Sequence, residues 1–265
     1  MGPKTEGEQV FEAYLAERGL AFRYEPDLGA QTRPDYLVRS TPEVLCDVKD
    51  FEAGEEDELA RKARQKAAAQ GLEYFELCGI DPYARIRSKI RIARVQLRHF
   101  KGRYPTVVVL FNSASPSINL MTEVIEGAMY GDLVFRMKIG PPDANIPTNI
   151  TSGHNPQNAM VRPKKNTSIS AVAVLEHFRP NDYLLRAEYT RNRRSDPKSM
   201  PSAKELAELL EKGENFIIQH PEVQDTVVRM RVVHNRHAAL ALPNDVFSGP
   251  HDIDVQWSTE KAISR

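Results

Sequence analysis

The sequence predicts an α/β fold, a mixed sheet flanked by helices, from three observations. A capped helix opens the chain and three short strand-like runs follow it. A long helix with one apolar stripe comes next. That helix leads into TVVVLF at residues 106–111, a continuously apolar run that suits a central strand covered on both faces.

Residues 5–18 read as the first helix. Thr5 followed by Glu8 fits a capping box, and Gly19 fits the stop. Val10, Phe11, Tyr14 and Leu15 fall on one face at about 100° per residue, with Glu8 at its border and Glu12 further toward solvent. Residues 20–25, 35–39 and 43–50 read as strands of an antiparallel meander, with Ser40, Thr41 and Pro42 as the second turn. Residues 55–70 form a charged, Ala-rich helix. Residues 82–100 form the long one, with Ile86, Ile90, Ala93, Leu97 and Phe100 as its core stripe.

The second half carries weaker signals. Residues 123–130 read as helix, 202–212 as another, and 133–139, 170–175, 183–189 and 226–234 as strands. Residues 140–165, rich in Pro, Asn and Gly, read as a long loop. The closing stretch LPNDVFSGPHDIDVQW reads as a loop that tucks Phe247 and Trp257 onto the domain. The expected organisation is one elaborated domain over residues 1–265, a core over about 5–112 and a β-rich extension over about 113–265.

Bulk properties exclude several classes. Lys+Arg and Asp+Glu number 36 each, so any nucleic-acid contact must come from a local patch. Cys46 and Cys78 make no disulfide framework and read as free thiols of a cytoplasmic protein. The polar, acidic start is no signal peptide, and no apolar run reaches the roughly 18–20 residues of a membrane helix. No phosphate-cradling glycine loop and no zinc-ligand spacing is present. His234-Asn235-Arg236-His237 has the letters of an HNH motif but lacks the helix signal that should follow.

The informative stretch is RPDYLVRSTPEVLCDVKDF, residues 33–51. Period-two alternation puts Leu45, Asp47 and Lys49 on one face of the third strand, and Val44, Cys46 and Val48 on the other. Asp35 opens the neighbouring strand. Burying an unpaired charge costs several kcal/mol, so charges at a packed surface need a purpose. An ion pair is one, although residues two apart on a strand are not ideally placed for it. A magnesium site is the other, since hard divalent cations take oxygen ligands and Mg²⁺ keeps several waters.

Pro34-Asp35 followed by Asp47-Val48-Lys49 on the next strand resembles the PD-(D/E)xK, or restriction-endonuclease-like, nuclease superfamily. The resemblance covers residues 5–112, and the αβββαβ core of that superfamily matches the element order read above. It implies a metal-dependent phosphodiester hydrolase, an endonuclease acting on DNA in restriction, repair or defence, with RNA as another substrate and a non-catalytic nucleic-acid-binding module as the alternative. It implies Mg²⁺, with Mn²⁺ as a substitute, held by Asp35, Asp47 and Glu8, and Lys49 as the residue that orients water. Glu12 is the rival to Glu8, and Lys89 and Gln96 are accessory candidates on the long helix. A homodimer is a further implied partner.

The long helix also carries a basic flank. Arg87, Arg91, Arg94, Arg98 and Lys101 border one side of its core stripe, and Arg85, Lys89 and Gln96 the other. The first set is the candidate for nucleic-acid contact, and pairing with the acidic helix before it is the alternative. Arg162, Lys164 and Lys165, and Arg191, Arg193, Arg194 and Lys198, are two further basic clusters in loops.

Overall fold

The computed structural model describes residues 2–52, 62, 66, 81, 83–112, 120–138, 149–155, 158–164, 166–178 and 226–256. Contacts divide the chain into two compact units, Met1–Leu175 with Met230–Arg265, and Glu176–Arg229. The elements run α1 (Glu6–Glu17), β1 (Phe22–Tyr24), β2 (Tyr36–Val38), β3 (Val44–Phe51), α2 (Ala84–Leu97) with a 3₁₀ turn (Arg98–Phe100), and β4 (Thr106–Asn112). They continue α3 (Thr122–Tyr130), β5 (Asp132–Lys138), β6 (Asn149–Asn155), β7 (Ala171–Phe178), β8 (Val227–His234) and β9 (Ile253–Val255).

Seven strands form one mixed sheet in the order β1-β2-β3-β4-β7-β8-β9. β1, β2 and β3 pair antiparallel in chain order, β2 and β3 through the short turn at residues 39–43. β3, β4 and β7 are parallel, and α2 lies in the crossover between β3 and β4. β4 is buried over Thr106–Phe111, in keeping with its apolar sequence.

The two faces of the sheet are covered by different helices. Phe11 of α1 meets Tyr36 edge-on with ring centroids 5.2 Å apart, and Phe247 closes over Phe11 from the C-terminal segment. Tyr36 pairs with Cys46, so α1 covers the Cys46 face of β3. On the other face the side chains of Arg85 and Lys89 reach over Phe51. All five predicted core residues of the long helix, Ile86, Ile90, Ala93, Leu97 and Phe100, are fully buried there with Leu37, Leu45 and Val108. Each large apolar side chain removed from water in this way contributes about 1.5–3 kcal/mol.

α1 starts on the expected capping box: the Thr5 hydroxyl accepts from Glu8 N–H and the Glu8 carboxylate accepts from Thr5 N–H. Gly19 follows its end with φ +66, the left-handed conformation that favours glycine.

Two loop expectations are corrected. β6 lies inside residues 140–165 and pairs along its whole length with β5 as a separate two-stranded ribbon. Its sequence, NITSGHN, has no apolar alternation, and pairing with β5 supplies the backbone hydrogen bonds instead. β9 likewise lies in the closing stretch and pairs parallel with β8. The expected strand 183–189 and the helix 202–212, and all of the helix 55–70 except Lys62 and Lys66, lie outside the described residues, as do Cys78 and Trp257. In the unit Glu176–Arg229, Arg229 pairs with Glu176 at 2.7 Å and lies over the Phe178 ring.

Candidate functional site

The site is built where β2 and β3 part. Their ladder runs from Val38↔Val44 to Tyr36↔Cys46 and stops. The backbone carbonyl of Asp35 still accepts from Glu25 N–H, on the β1 side, at 2.7 Å. Its carboxylate turns the other way and Oδ2 accepts from Val48 N–H at 2.7 Å. A side chain thus takes the place of the next backbone acceptor and anchors the parted strands.

Asp47 and Lys49 share the face of β3 that α2 covers. Lys49 Nζ lies 2.8 Å from Asp47 Oδ2 and 3.6 Å from Asp35 Oδ2. The sequence left an ion pair two residues apart as a poor fit, yet the pair forms. The flexible four-carbon stem of lysine spans the roughly 6–7 Å rise between residues on one face of a strand. Lys49 also donates to its neighbour's carbonyl, Val48 O, at 3.1 Å.

One ammonium therefore serves two carboxylates. Asp47 is 0% exposed; the Lys49 ammonium lies 2.8 Å from its Oδ2, and Oδ1 has no well-aligned donor among the described residues. Burial, and then the Asp35 charge, push the Asp47 carboxyl well above the usual carboxylate range, while Lys49 pulls it back. Asp35 is also raised by burial, against the pull of Lys49 and of the Val48 N–H. Cys46, buried on the opposite face, is raised by burial and by the same two carboxylates and is no nucleophile in this state. A buried carboxylate that shares one ammonium with a second acid is an environment that a hard cation would relieve.

Glu8 is engaged elsewhere. Its Oε2 accepts from Thr5 N–H at 2.7 Å and its Oε1 from the Tyr24 hydroxyl at 3.2 Å. Burial and the Glu8 carboxylate push the Tyr24 hydroxyl up to about 12, so it donates at neutral pH. The charge of Glu8 reaches Asp35 as the last of the effects that raise it. Glu12 pairs with Lys4 at 2.5 Å and accepts from the Tyr36 hydroxyl at 3.1 Å. Among the described residues, no group of three or more His, Cys, Asp and Glu side chains gathers to hold a metal ion. The structure thus brings Asp35, Asp47 and Lys49 together, with Glu8 at the edge. Two carboxylates still fit Mg²⁺, which is usually bound through one or two of them.

α2 divides its basic residues between two roles. Arg87 is buried, 2.5 Å from Asp81 Oδ2 and 2.8 Å from Asp132 Oδ1. Arg94 is half-buried and bonds the side chain of Asn166. Two of the five candidates for nucleic-acid contact are therefore internal braces, while Arg91, Arg98 and Lys101 are exposed. On the other flank Lys89 is half-buried against Phe51, and Gln96 has a buried Oε1 with no donor among the described residues. Of the remaining basic clusters, Arg162 is half-buried and Lys164 exposed. Lys165, Arg191, Arg193, Arg194 and Lys198 lie outside the described residues.

Sequence reasoning missed Asp50. Its Oδ2 accepts from Gly7 N–H at 2.8 Å and its Oδ1 from the Thr5 hydroxyl at 3.2 Å, so β3 caps α1. A Cβ on Gly7 would stand 2.1 Å from Asp50 Oδ1. The signal was present: a glycine in the first turn of an otherwise well-formed helix marks a close approach.

No family model matches the chain, and comparison with curated proteins and with solved structures gives no match either.

Proposed function

We propose that this chain is a divalent-metal-dependent phosphodiester hydrolase that cuts DNA, on a core of the restriction-endonuclease-like type. The observation that carries this reading is the convergence of Asp35 and Asp47 on Lys49, at 3.6 and 2.8 Å, with Asp47 fully buried. The order α1-β1-β2-β3-α2-β4, antiparallel through β3 and then parallel, supports the core assignment.

Asp35 and Asp47 are the residues that would hold Mg²⁺, or Mn²⁺ in its place. The bound cation would stabilise negative charge on the phosphoryl oxygens and the leaving group. Asp35, fixed by the Val48 N–H, keeps its carboxylate aimed at Asp47. Lys49, held by both acids, is placed to orient the attacking water and to balance the charge of the anionic substrate. Glu8 adds charge at the edge of the site while its oxygens hold Thr5 and Tyr24. Homodimerisation, and a role in restriction, repair or defence, follow from the resemblance as further parts of the reading.

The test is cleavage of supercoiled plasmid by the purified chain with Mg²⁺, with an RNA substrate in parallel. Nicked or linear product is expected from the parent, and at least a hundredfold less from Asp47→Ala and Lys49→Ala. Variants that cut as well as the parent would refute the site.

A second reading has its own support. Lys49 already pairs with both carboxylates, and Glu8 does not join them. That arrangement also suits a non-catalytic nucleic-acid-binding module on the same core. Calorimetry separates the two, because the module would keep its DNA affinity and bind neither Mg²⁺ nor Mn²⁺.

A further inference from the structure

We infer that Tyr24 is a positioning residue for the carboxylate site: its hydroxyl holds Glu8 back from the cation that Asp35 and Asp47 would bind. This inference rests on the metal-site reading above and names the group that limits its ligand set to two acids.

Tyr24 stands on β1 and pairs with Tyr36, the residue after Asp35. The two rings meet with centroids 5.2 Å apart. Glu8 comes down on the same place from α1. The Tyr36 hydroxyl donates to the Glu8 carbonyl at 3.3 Å, and the Tyr24 hydroxyl to Glu8 Oε1 at 3.2 Å. Asp35 is within electrostatic reach of both. Its charge and that of Glu8 help to push the Tyr24 hydroxyl up, and the Glu8 charge raises Asp35. Tyr24, Glu8 and Asp35 are therefore neighbours at the end where β2 and β3 part.

The two oxygens of Glu8 are held on unequal terms. Oε2 accepts from Thr5 N–H at 2.7 Å and completes the capping box, a bond tied to the start of α1. Oε1 accepts from Tyr24 at the longer distance of 3.2 Å, from a hydroxyl on another element. Glu8 is buried, so an Oε1 released by Tyr24 needs a new partner. A cation beside Asp35 would supply it, while Oε2 kept the cap.

The Tyr24 hydroxyl is itself fixed. Its ring is held by Tyr36 and by Lys4, whose Nζ lies 4.6 Å from the ring centroid and pairs with Glu12 at 2.5 Å. Its backbone is fixed too, because the next residue, Glu25, donates its N–H to Asp35 O at 2.7 Å. A donor anchored in this way keeps the Glu8 carboxylate on the β1 side. That accounts for a site in which, among the described residues, no third acid joins Asp35 and Asp47. Ligand charge tunes the affinity of carboxylate sites for divalent cations, so the restraint keeps binding weaker than the acids of this neighbourhood allow.

The experiment is isothermal titration calorimetry of the full chain with Mn²⁺. It compares the parent, Tyr24→Phe, Glu8→Gln and the double variant, each checked by thermal melting. Glutamine also serves in a capping box, so Glu8→Gln removes the charge and leaves α1 its cap. Tyr24→Phe should tighten Mn²⁺ binding by about tenfold, as a third carboxylate joins the site. Glu8→Gln alone should change affinity by less than about threefold, and in the Tyr24→Phe background it should remove the gain. Asp47→Ala should abolish binding in both the parent and Tyr24→Phe, which locates the ion. Unchanged or weaker binding by Tyr24→Phe, or a gain that survives Glu8→Gln, overturns the inference and leaves the metal-site reading standing. No Mn²⁺ binding by the parent and by Tyr24→Phe alike, or binding that survives Asp47→Ala, overturns both.

Discussion

Asp47 and Asp50 stand three residues apart on β3 and face opposite sides of the sheet. Asp50 faces α1, where the Gly7 N–H and the Thr5 hydroxyl hold its carboxylate. Asp47 faces α2 and is fully buried; the Lys49 ammonium, 2.8 Å away, compensates it, and Asp35 shares that charge. The same residue type on one strand therefore has two different standings. A carboxylate held by backbone and hydroxyl donors stabilises the fold, and a buried one that shares a single ammonium with a second acid is the candidate for a ligand. A parallel contrast exists on α2, where Arg87 is a buried brace and Arg85 is exposed.

The sharpest way to break the comparison is Asp47→Asn. Cleavage should fall by at least a hundredfold, because the amide keeps the shape and loses the charge. Stability should move the other way, by about +1 kcal/mol at neutral pH. The sign follows from the raised carboxyl of Asp47. A group whose folded-state pKa is raised stabilises the fold fully only below its unfolded pKa, and that contribution is lost as pH rises through the folded value. The Asn variant should therefore match the parent near pH 3 and gain on it toward neutral pH, read from urea midpoints at a series of pH values. Greater stability of the parent at pH 7 would contradict the assignment.

Arg87→Ala should show the reverse pattern. It strands Asp81 and Asp132 and empties a buried volume, at a cost of about 2 kcal/mol, discounted because both aspartates are partly exposed. Arg91→Ala, at an exposed position of the same helix and compared in the same chemical denaturation, should stay within about 0.5 kcal/mol of the parent. Asp50→Ala should cost about 1–2 kcal/mol, the usual loss when a helix N-terminus loses its carboxylate cap. Gly7→Ala gives the smallest and most specific effect. In the parent it should destabilise, because the new Cβ would collide with Asp50 Oδ1. In the Asp50→Ala background it should be neutral or stabilising by up to about 1 kcal/mol, since alanine is the better helix former. A double-mutant cycle by thermal melting reads this coupling directly, and additive effects would show that Asp50 does not set the approach of α1.

The legibility of these features differed for physical reasons. The core stripe of α2 could be read in full because apolar spacing in a helix depends only on the 3.6-residue turn. The capping box of α1 was legible because both partners lie within four residues. β6 was not, because NITSGHN carries no period-two signal and its pairing with β5 comes from residues farther up the chain. The types and spacing of Asp35, Asp47 and Lys49 marked the candidate site. The role of Asp50 was hidden, because its donors lie more than forty residues away in sequence.

By itself, the sequence determined the order of the first six elements, the core of the long helix and the three charges that meet at the parted strands. It assigned Glu8 both a capping role and a metal role. The structure shows the capping role, and it adds the Tyr24 hydroxyl, from β1, on the other oxygen of the carboxylate. It also decided which basic residues of α2 are drawn into the fold, by bringing Asp81, Asp132 and Asn166 to Arg87 and Arg94. Local spacing fixes the face of an element on which a charge lies. What meets that charge is set by the rest of the chain, through contacts that no local pattern encodes.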